Sequence, residues 1–276
     1  MIREIKNEVR EAICKAFSCA LHRNSGSFVL FLARGDYDRH FVGNQFASLD
    51  PKPSPYCLDY MLDAYKDETR DQFYIRYLNR RYKHDDFKYL GDEGIDDLCV
   101  EMMIYSHVWE SEAFLKYLYR LSNIVSGKDY YDWEVSNVKF HGYPLIIEIK
   151  EKLKEACPEL YKIIDTSYTG YIRDCFAHSL FNVDKDARII ELFCDRVKND
   201  SVLSRLSFDE FQIKFLYSVE LCYEFSHIFH DTRKKLIEDK LLLSQPIALP
   251  DGRLLKITGA ELFHGEPRFR ASIITE

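Results

Sequence analysis

The chain has 276 residues, 46% of them apolar and 30% charged, with 38 Lys and Arg against 45 Asp and Glu for a formal net charge of −7. That composition is ordinary for a globular protein, speaks against a disordered chain and is enough for a full hydrophobic core in one large or two small domains. The acidic balance excludes a protein that wraps long nucleic acid with a basic surface, since phosphate neutralisation supplies most of that affinity; any RNA contact has to be local and transient.

Residues 1–24 form an amphipathic helix by pattern. Ile2, Ile5, Val9, Ile13, Ala16, Phe17, Ala20 and Leu21 recur at three- and four-residue steps. The apolar run Ser27 to Ala33 suits a short buried strand. Gly35, Gly43, Pro51, Pro53 and Pro55 punctuate a loop over 34–55. Two helices are expected near 56–66 and 68–83, the second carrying Arg70, Arg76, Arg80, Arg81 and Lys83. A break at Lys88 to Gly94 precedes one long helix from Ile95 to about Ser126, ended by Ser126-Gly127. A loop with Tyr130, Tyr131 and Trp133 follows, then a helix from Pro144 to Ala156. Pro158 opens another, expected to continue through Tyr171 to Ser179.

Phe181 to Phe193 reads as strand, turn, strand. Ser207 with Glu210 is a capping-box pattern for a long helix over 208–240. Asp251-Gly252 between apolar runs signals a hairpin, and Phe263 and residues 268–274 offer further strands. The eight cysteines, Cys14, Cys19, Cys57, Cys99, Cys157, Cys175, Cys194 and Cys222, include no C-x-x-C pair, which argues against a zinc ribbon or a thioredoxin-type site. The charged, amphipathic start is unlike a secretory leader, and no apolar run approaches the ~20 residues that span a bilayer. A cytoplasmic chain with reduced thiols and no membrane partner is expected.

The stretch that carries chemistry is Tyr171-Ile172-Arg173-Asp174-Cys175-Phe176-Ala177-His178-Ser179-Leu180-Phe181. It holds R-x-x-x-x-H, with a polar residue directly after the arginine, near a helix end and ahead of a hairpin. In this context the segment resembles the HEPN family, whose ribonuclease members carry the same pattern. Residues 95–125 are similar to that family's long first helix. Asp174 stands where the family often has Asn. The resemblance spans about 95–240 and implies a mainly α fold: a HEPN-like antiparallel helical bundle with an N-terminal α/β extension and C-terminal β-hairpins. The expected division is 1–94, 95–243 and 244–276, the first being a mostly helical region of unassigned role. It further implies a homodimer with a composite site, acting on RNA in phage defence (abortive infection) or as a toxin restrained by a regulatory partner protein.

The residue types fit that chemistry. RNA supplies its own nucleophile, the 2′-OH beside the scissile phosphate, so no metal or other cofactor is needed. Histidine titrates near neutral pH and suits proton transfer, which His178 would perform. The planar, always charged guanidinium of Arg173 suits the anionic phosphorus centre. Asp174, one turn before His178, is expected to orient the imidazole and favour its protonated form. The products would be a 2′,3′-cyclic phosphate and a 5′-hydroxyl. Five residues separate Arg173 from His178, about 140° around an ideal helix, so one chain does not present both on one face.

Blander readings stand beside this one. Arg173, Asp174 and His178 also fit a helix-terminal charge cluster. A HEPN-like domain without catalysis would bind or dimerise only, and a helical scaffold unrelated to nucleic acid is a third reading. His227 and His230 lack an obvious third ligand for a metal. The basic stretch 70–83 suits a solvated face as well as RNA, and Tyr130, Tyr131 and Trp133 suit loop anchoring as well as base stacking. His107, Trp109 and Glu110 suit packing more than support of the site, with Glu110 the one most worth testing.

Overall fold

The computed structural model describes residues 1–34, 36–37, 56–57, 72–74, 76–77, 95–128, 143–193, 204–248, 253–263 and 265–274. The helices are α1 (Ile2–Arg23), α2 (Ser25–Leu32), α3 (Ile95–Glu110), α4 (Glu112–Val125), α5 (Tyr143–Ala156), α6 (Pro158–Ser167), α7 (Gly170–Ala177), α8 (Phe208–Glu238) and α9 (Lys240–Ser244). The strands are β1 (Asp36–Tyr37), β2 (Tyr56–Cys57), β3 (Phe181–Asp184), β4 (Ile189–Leu192), β5 (Ser204–Ser207), β6 (Ile247–Ala248), β7 (Leu254–Phe263) and β8 (Glu266–Ile274). Three small antiparallel sheets, β1-β2, β3-β4-β5 and β6-β7-β8, accompany a mainly helical body. Among the described residues, no helix is long and apolar enough to cross a membrane. Most of the expected loops over 34–55 and 127–142, most of the helices near 56–66 and 68–83, and the Asp251-Gly252 turn lie outside the described residues; Asp36–Tyr37 in the first loop and Tyr56–Cys57 at the start of the first of those helices pair as strands.

The centre of the body is α8. Its N-terminus carries the expected capping box: Ser207 Oγ accepts from the Glu210 amide at 3.2 Å, and Glu210 accepts from the Ser207 amide at 2.8 Å. Around α8 pack α1, α3, α6 and α2, with β7 and β8 at its far end. The buried stripe of α1 (Ile5, Val9, Ala12, Ile13, Ala16, Phe17 and Ala20) follows helical spacing and faces α8, α4 and α6. Residues 5–33 and Tyr74 thus share one core with residues 98–269. At its heart lie aromatic contacts between Phe17 and Phe225 (5.8 Å), Phe31 and Phe229 (5.0 Å) and Tyr117 and Phe229 (4.9 Å).

Three expectations are corrected here. The run Ser27 to Ala33 is helical, not a strand: Asn24 Oδ1 accepts from the Ser27 amide at 2.9 Å and caps α2, whose residues Ser27–Leu32 are all buried. A helix apolar on every side is a buried one, and a run this short carries no periodicity to tell it from a strand. The long helix expected over 95–126 breaks at Ser111, which is extended (ψ 105) and accepts from the Phe114 amide at 3.3 Å as the N-cap of α4. The helix expected from Pro158 to Ser179 breaks at Tyr168 and Thr169, both extended. Among the described residues, the N-terminal α/β extension comprises two helices in the bundle, the two-residue pair β1–β2 and the helical residues 72–74 and 76–77, of which Tyr74 is in the core and Tyr77 packs against it.

Arg233, buried on α8, ties the C-terminal sheet to the bundle. Its Nη1 donates to the Leu32 carbonyl at 2.5 Å and its Nη2 to the Pro267 carbonyl at 2.7 Å, and its guanidinium lies over the Phe229 and Phe269 rings. A second buried polar group sits between α8 and α1. Glu224 pairs with Lys6 at 3.2 Å and Arg10 at 2.8 Å. One turn earlier, Glu220 is buried beside the Glu224 charge; burial, opposed by Lys6, pushes its carboxyl up to about 7.

Between pH 4.5 and 7 native Glu220 keeps a proton that the unfolded chain has lost, so stability falls as pH rises through that window and stays lowered above it. Glu220→Gln is expected to match wild type near the bottom of that window and to exceed it by on the order of 3 kcal/mol by pH 8, read from urea unfolding at both pH values. A difference that does not change with pH contradicts this.

Candidate active site

The site is built on α7, a helix of eight residues held by a hydroxyl from α3. Ile172 and Cys175, three residues apart, are its buried anchors. At its start the chain runs extended through Tyr168 and Thr169, which leaves backbone groups there outside any helix. Tyr105, fully buried on α3, satisfies them. Its hydroxyl accepts from the Thr169 amide at 2.7 Å and donates to the Ser167 carbonyl at 3.0 Å, with the Thr169 carbonyl at 3.3 Å. Burial pushes the Tyr105 phenol well above its ordinary value, so it remains a donor. Trp109, one turn on, donates to Ser218 Oγ at 2.9 Å and packs edge-on to Tyr168 at 4.9 Å.

The other end of α7 is a Schellman turn. The Ser179 amide donates to the Phe176 carbonyl at 3.1 Å and the Leu180 amide to the Cys175 carbonyl at 2.8 Å. The turn needs a left-handed residue after the cap, and Ser179 takes that place with φ 54. The same motif ends α4, where the position is filled by Gly127 with φ 82. His178 is the cap residue itself (φ −105, ψ 8) and is exposed. From there the chain enters β3, with Phe181 stacked on Phe176 at 5.8 Å. The sheet runs β3-β4-β5, and β5, not foreseen in the sequence, leads directly into α8.

Arg173 lies on the flank of α7, its side chain 23% exposed. Its Nε meets Glu110 Oε1, from the last residue of α3, at 2.9 Å. Its Nη1 donates to Asp174 Oδ1 at 2.5 Å. Burial works against its charge, but the Asp174 hydrogen bond and the Glu110 and Asp174 charges outweigh it and hold its pKa above the usual arginine value. Asp174 therefore does not stand to His178 as expected. Its carboxylate turns to Arg173, and it meets His178 through the backbone, with the His178 amide donating to the Asp174 carbonyl at 3.2 Å. Because His178 caps the helix, the four-residue spacing does not bring the two side chains together along a continuing helix. Among the described residues no side chain bonds the His178 imidazole.

No family model, curated protein or solved structure matches the chain.

What surrounds the motif is apolar and open to solvent. Tyr171 (43% exposed) stands seven residues before His178, on the same side of α7. Leu180 (38%) and Phe193 (46%) are joined by the Phe193 amide donating to the Leu180 carbonyl at 2.9 Å. Of the supporting residues weighed in the sequence, Trp109 is core and His107 is exposed, while Glu110 reaches the site. Among the described residues no three His, Cys, Asp or Glu side chains form a metal-binding group; His227 lies 3.9 Å from Asp231.

Two outcomes are expected. Ser179→Gly relieves a left-handed serine and raises stability by about 0.5–1 kcal/mol in thermal or urea unfolding; a loss of stability contradicts the Schellman geometry. Tyr105→Phe leaves the half-buried Thr169 amide without its partner and the Ser167 carbonyl with only the 3.5 Å contact from Ser218 Oγ, and lowers stability by about 1–3 kcal/mol. A neutral result would show that the hydroxyl does not anchor α7.

Proposed function

We propose that the chain is a metal-independent endoribonuclease of HEPN type, working as a homodimer with a composite Arg/His site. What carries the reading is the pairing, on one short helix, of an exposed imidazole with a partly exposed guanidinium, beside the apolar surface of Tyr171, Leu180 and Phe193. A surface of that kind beside polar chemistry suits a protein contact. A twofold partner would bring a second α7 towards the first and remove the obstacle that Arg173 and His178 sit on different parts of one helix. Arg173 would hold the phosphate and stabilise charge at phosphorus, and His178 would move the proton. Asp174 would set the guanidinium, not the imidazole. A setting in phage defence, or as a toxin held by a regulatory partner, follows from the resemblance alone.

One observation favours a second reading, a non-catalytic HEPN-like module that binds and dimerises. Arg173 is matched by two carboxylates, which suits a structural cation as well as a catalytic one.

Purified protein with single-stranded and structured RNA in EDTA separates the two. The ribonuclease cleaves under chelation, leaves 2′,3′-cyclic phosphate ends and fails on 2′-O-methyl RNA. Arg173→Ala and His178→Ala each lower the rate at least ~100-fold with the fold intact. Cleavage unchanged in His178→Ala, or absent in wild type, overturns the proposal.

A further inference from the structure

Two buried carboxylates sit one turn apart on α8 where α1 packs against it, and the cations of α1 serve one of them. Glu224 takes both: Arg10 Nη1 donates to its Oε2 at 2.8 Å, and Lys6 Nζ lies 3.2 Å from its Oε1. Glu220, 6% exposed, keeps Oε2 buried with no hydrogen-bond partner among the described residues. That arrangement is tolerable for a neutral carboxyl and costly for an ionised one, which needs water or a cation. We infer that the N-terminal part of α1, Ile2 to Arg10, is a proton-operated latch on α8: shut while Glu220 carries its proton, and released as Glu220 ionises. The latch is independent of the ribonuclease reading.

The packing says which element gives way. From Ile2 to Arg10 only Ile5 and Val9 are buried, whereas Ala12, Ile13, Ala16, Phe17 and Ala20 pin the rest of α1. The N-cap of α1 makes no side-chain hydrogen bond. α8 is held from other sides by α3, α6 and α2. The remaining polar ties of this part of α1 are partly exposed: Glu8 accepts from the Tyr217 hydroxyl of α8 at 2.5 Å and from Lys162 of α6 at 3.1 Å. Once undocked, two turns of helix fray, because so short a helix is marginal in water.

The charges of α1 also admit the opposite sign. Lys6 favours an ionised Glu220 and would draw α1 closer. Burial opposes the charge on Glu220 more strongly than Lys6 favours it, and Glu224 adds to the opposition. Lys6 is 44% and Arg10 49% exposed, where water screens both. α2, which also packs on α8, has no charged residue. The shut seam therefore keeps the proton, and the open seam, with Glu220 in water, releases it. Opening grows as pH rises from 4.5 to about 7 and levels off above.

Hydrogen exchange in low urea at pH 5.5 and 8, corrected for the intrinsic pH dependence of amide exchange, tests the latch together with a 13C titration of the Glu220 carboxyl. In wild type the amides of residues 5–10 exchange faster than those of α4 and with little dependence on urea, which marks a local opening. Their protection falls about tenfold or more between the two pH values. Glu220→Gln removes that fall, and the wild-type carboxyl titrates near 7. Exchange of residues 5–10 at the rate and urea dependence of α4 would show that Glu220 meets water only when the whole protein unfolds. That result, an equal fall in Glu220→Gln, or a carboxyl that titrates near 4.5 overturns the latch.

Discussion

One buried hydroxyl sets where the motif helix begins. Between α6 and α7 the chain leaves helical geometry at the buried Tyr168 and the half-buried Thr169, and such a break carries backbone groups that need partners outside a helix. The Tyr105 hydroxyl serves the Thr169 amide and the Ser167 carbonyl at once. Ser167 in turn bonds the Ile163 carbonyl through its own hydroxyl, which finishes α6. Together with the buried Ile172 and Cys175, that hydroxyl docks α7 on α3, and Arg173 lies within reach of Glu110. The pairing of guanidinium and carboxylate follows from where the backbone was interrupted.

The two breaks act together. Ser111 ends α3 at Glu110, so that carboxylate sits at a helix end facing α7 instead of midway along a longer helix. The break at Tyr168 and Thr169 lets α7 leave the line of α6. At the other end of α7 the Schellman turn makes His178 a cap residue with an open imidazole. The site therefore has a held half and a free half: a guanidinium fixed by two carboxylates and an imidazole with no side-chain partner among the described residues. That division is compatible with the proposed cleavage by an internal nucleophile, in which the proton moves while the phosphate must not.

The elements visible in the sequence were those with local chemical signatures. Ser207 and Glu210 announce α8, Ser126-Gly127 announces the end of α4, and Phe181 to Phe193 reads as strand, turn, strand. The motif itself was legible as residue types at one spacing. What was hidden depended on contacts between elements. Apolar residues continue on both sides of Ser111 and of Tyr168, so periodicity ran across both breaks; the cap geometry and the Tyr105 hydroxyl that create them are tertiary. The run Ser27 to Ala33 was too short to show a period. Strand β5, Ser204-Arg205-Leu206-Ser207, has a single apolar residue and exists because β4 pairs with it. Asp174 was assigned to His178 by spacing, but its sequence neighbour Arg173 lay closer and carried the opposite charge.

The claim on which the function depends is that an arginine of one protomer works with a histidine of another. Mixing Arg173→Ala protein with His178→Ala protein, after unfolding and joint refolding to exchange subunits, tests it most directly. A composite site predicts that two inactive preparations regain about a quarter of wild-type RNA cleavage, because half of the dimers are mixed and each carries one intact pair. A mixture as inactive as its parts, with mixed dimers shown to be present, would contradict a site shared across the twofold axis.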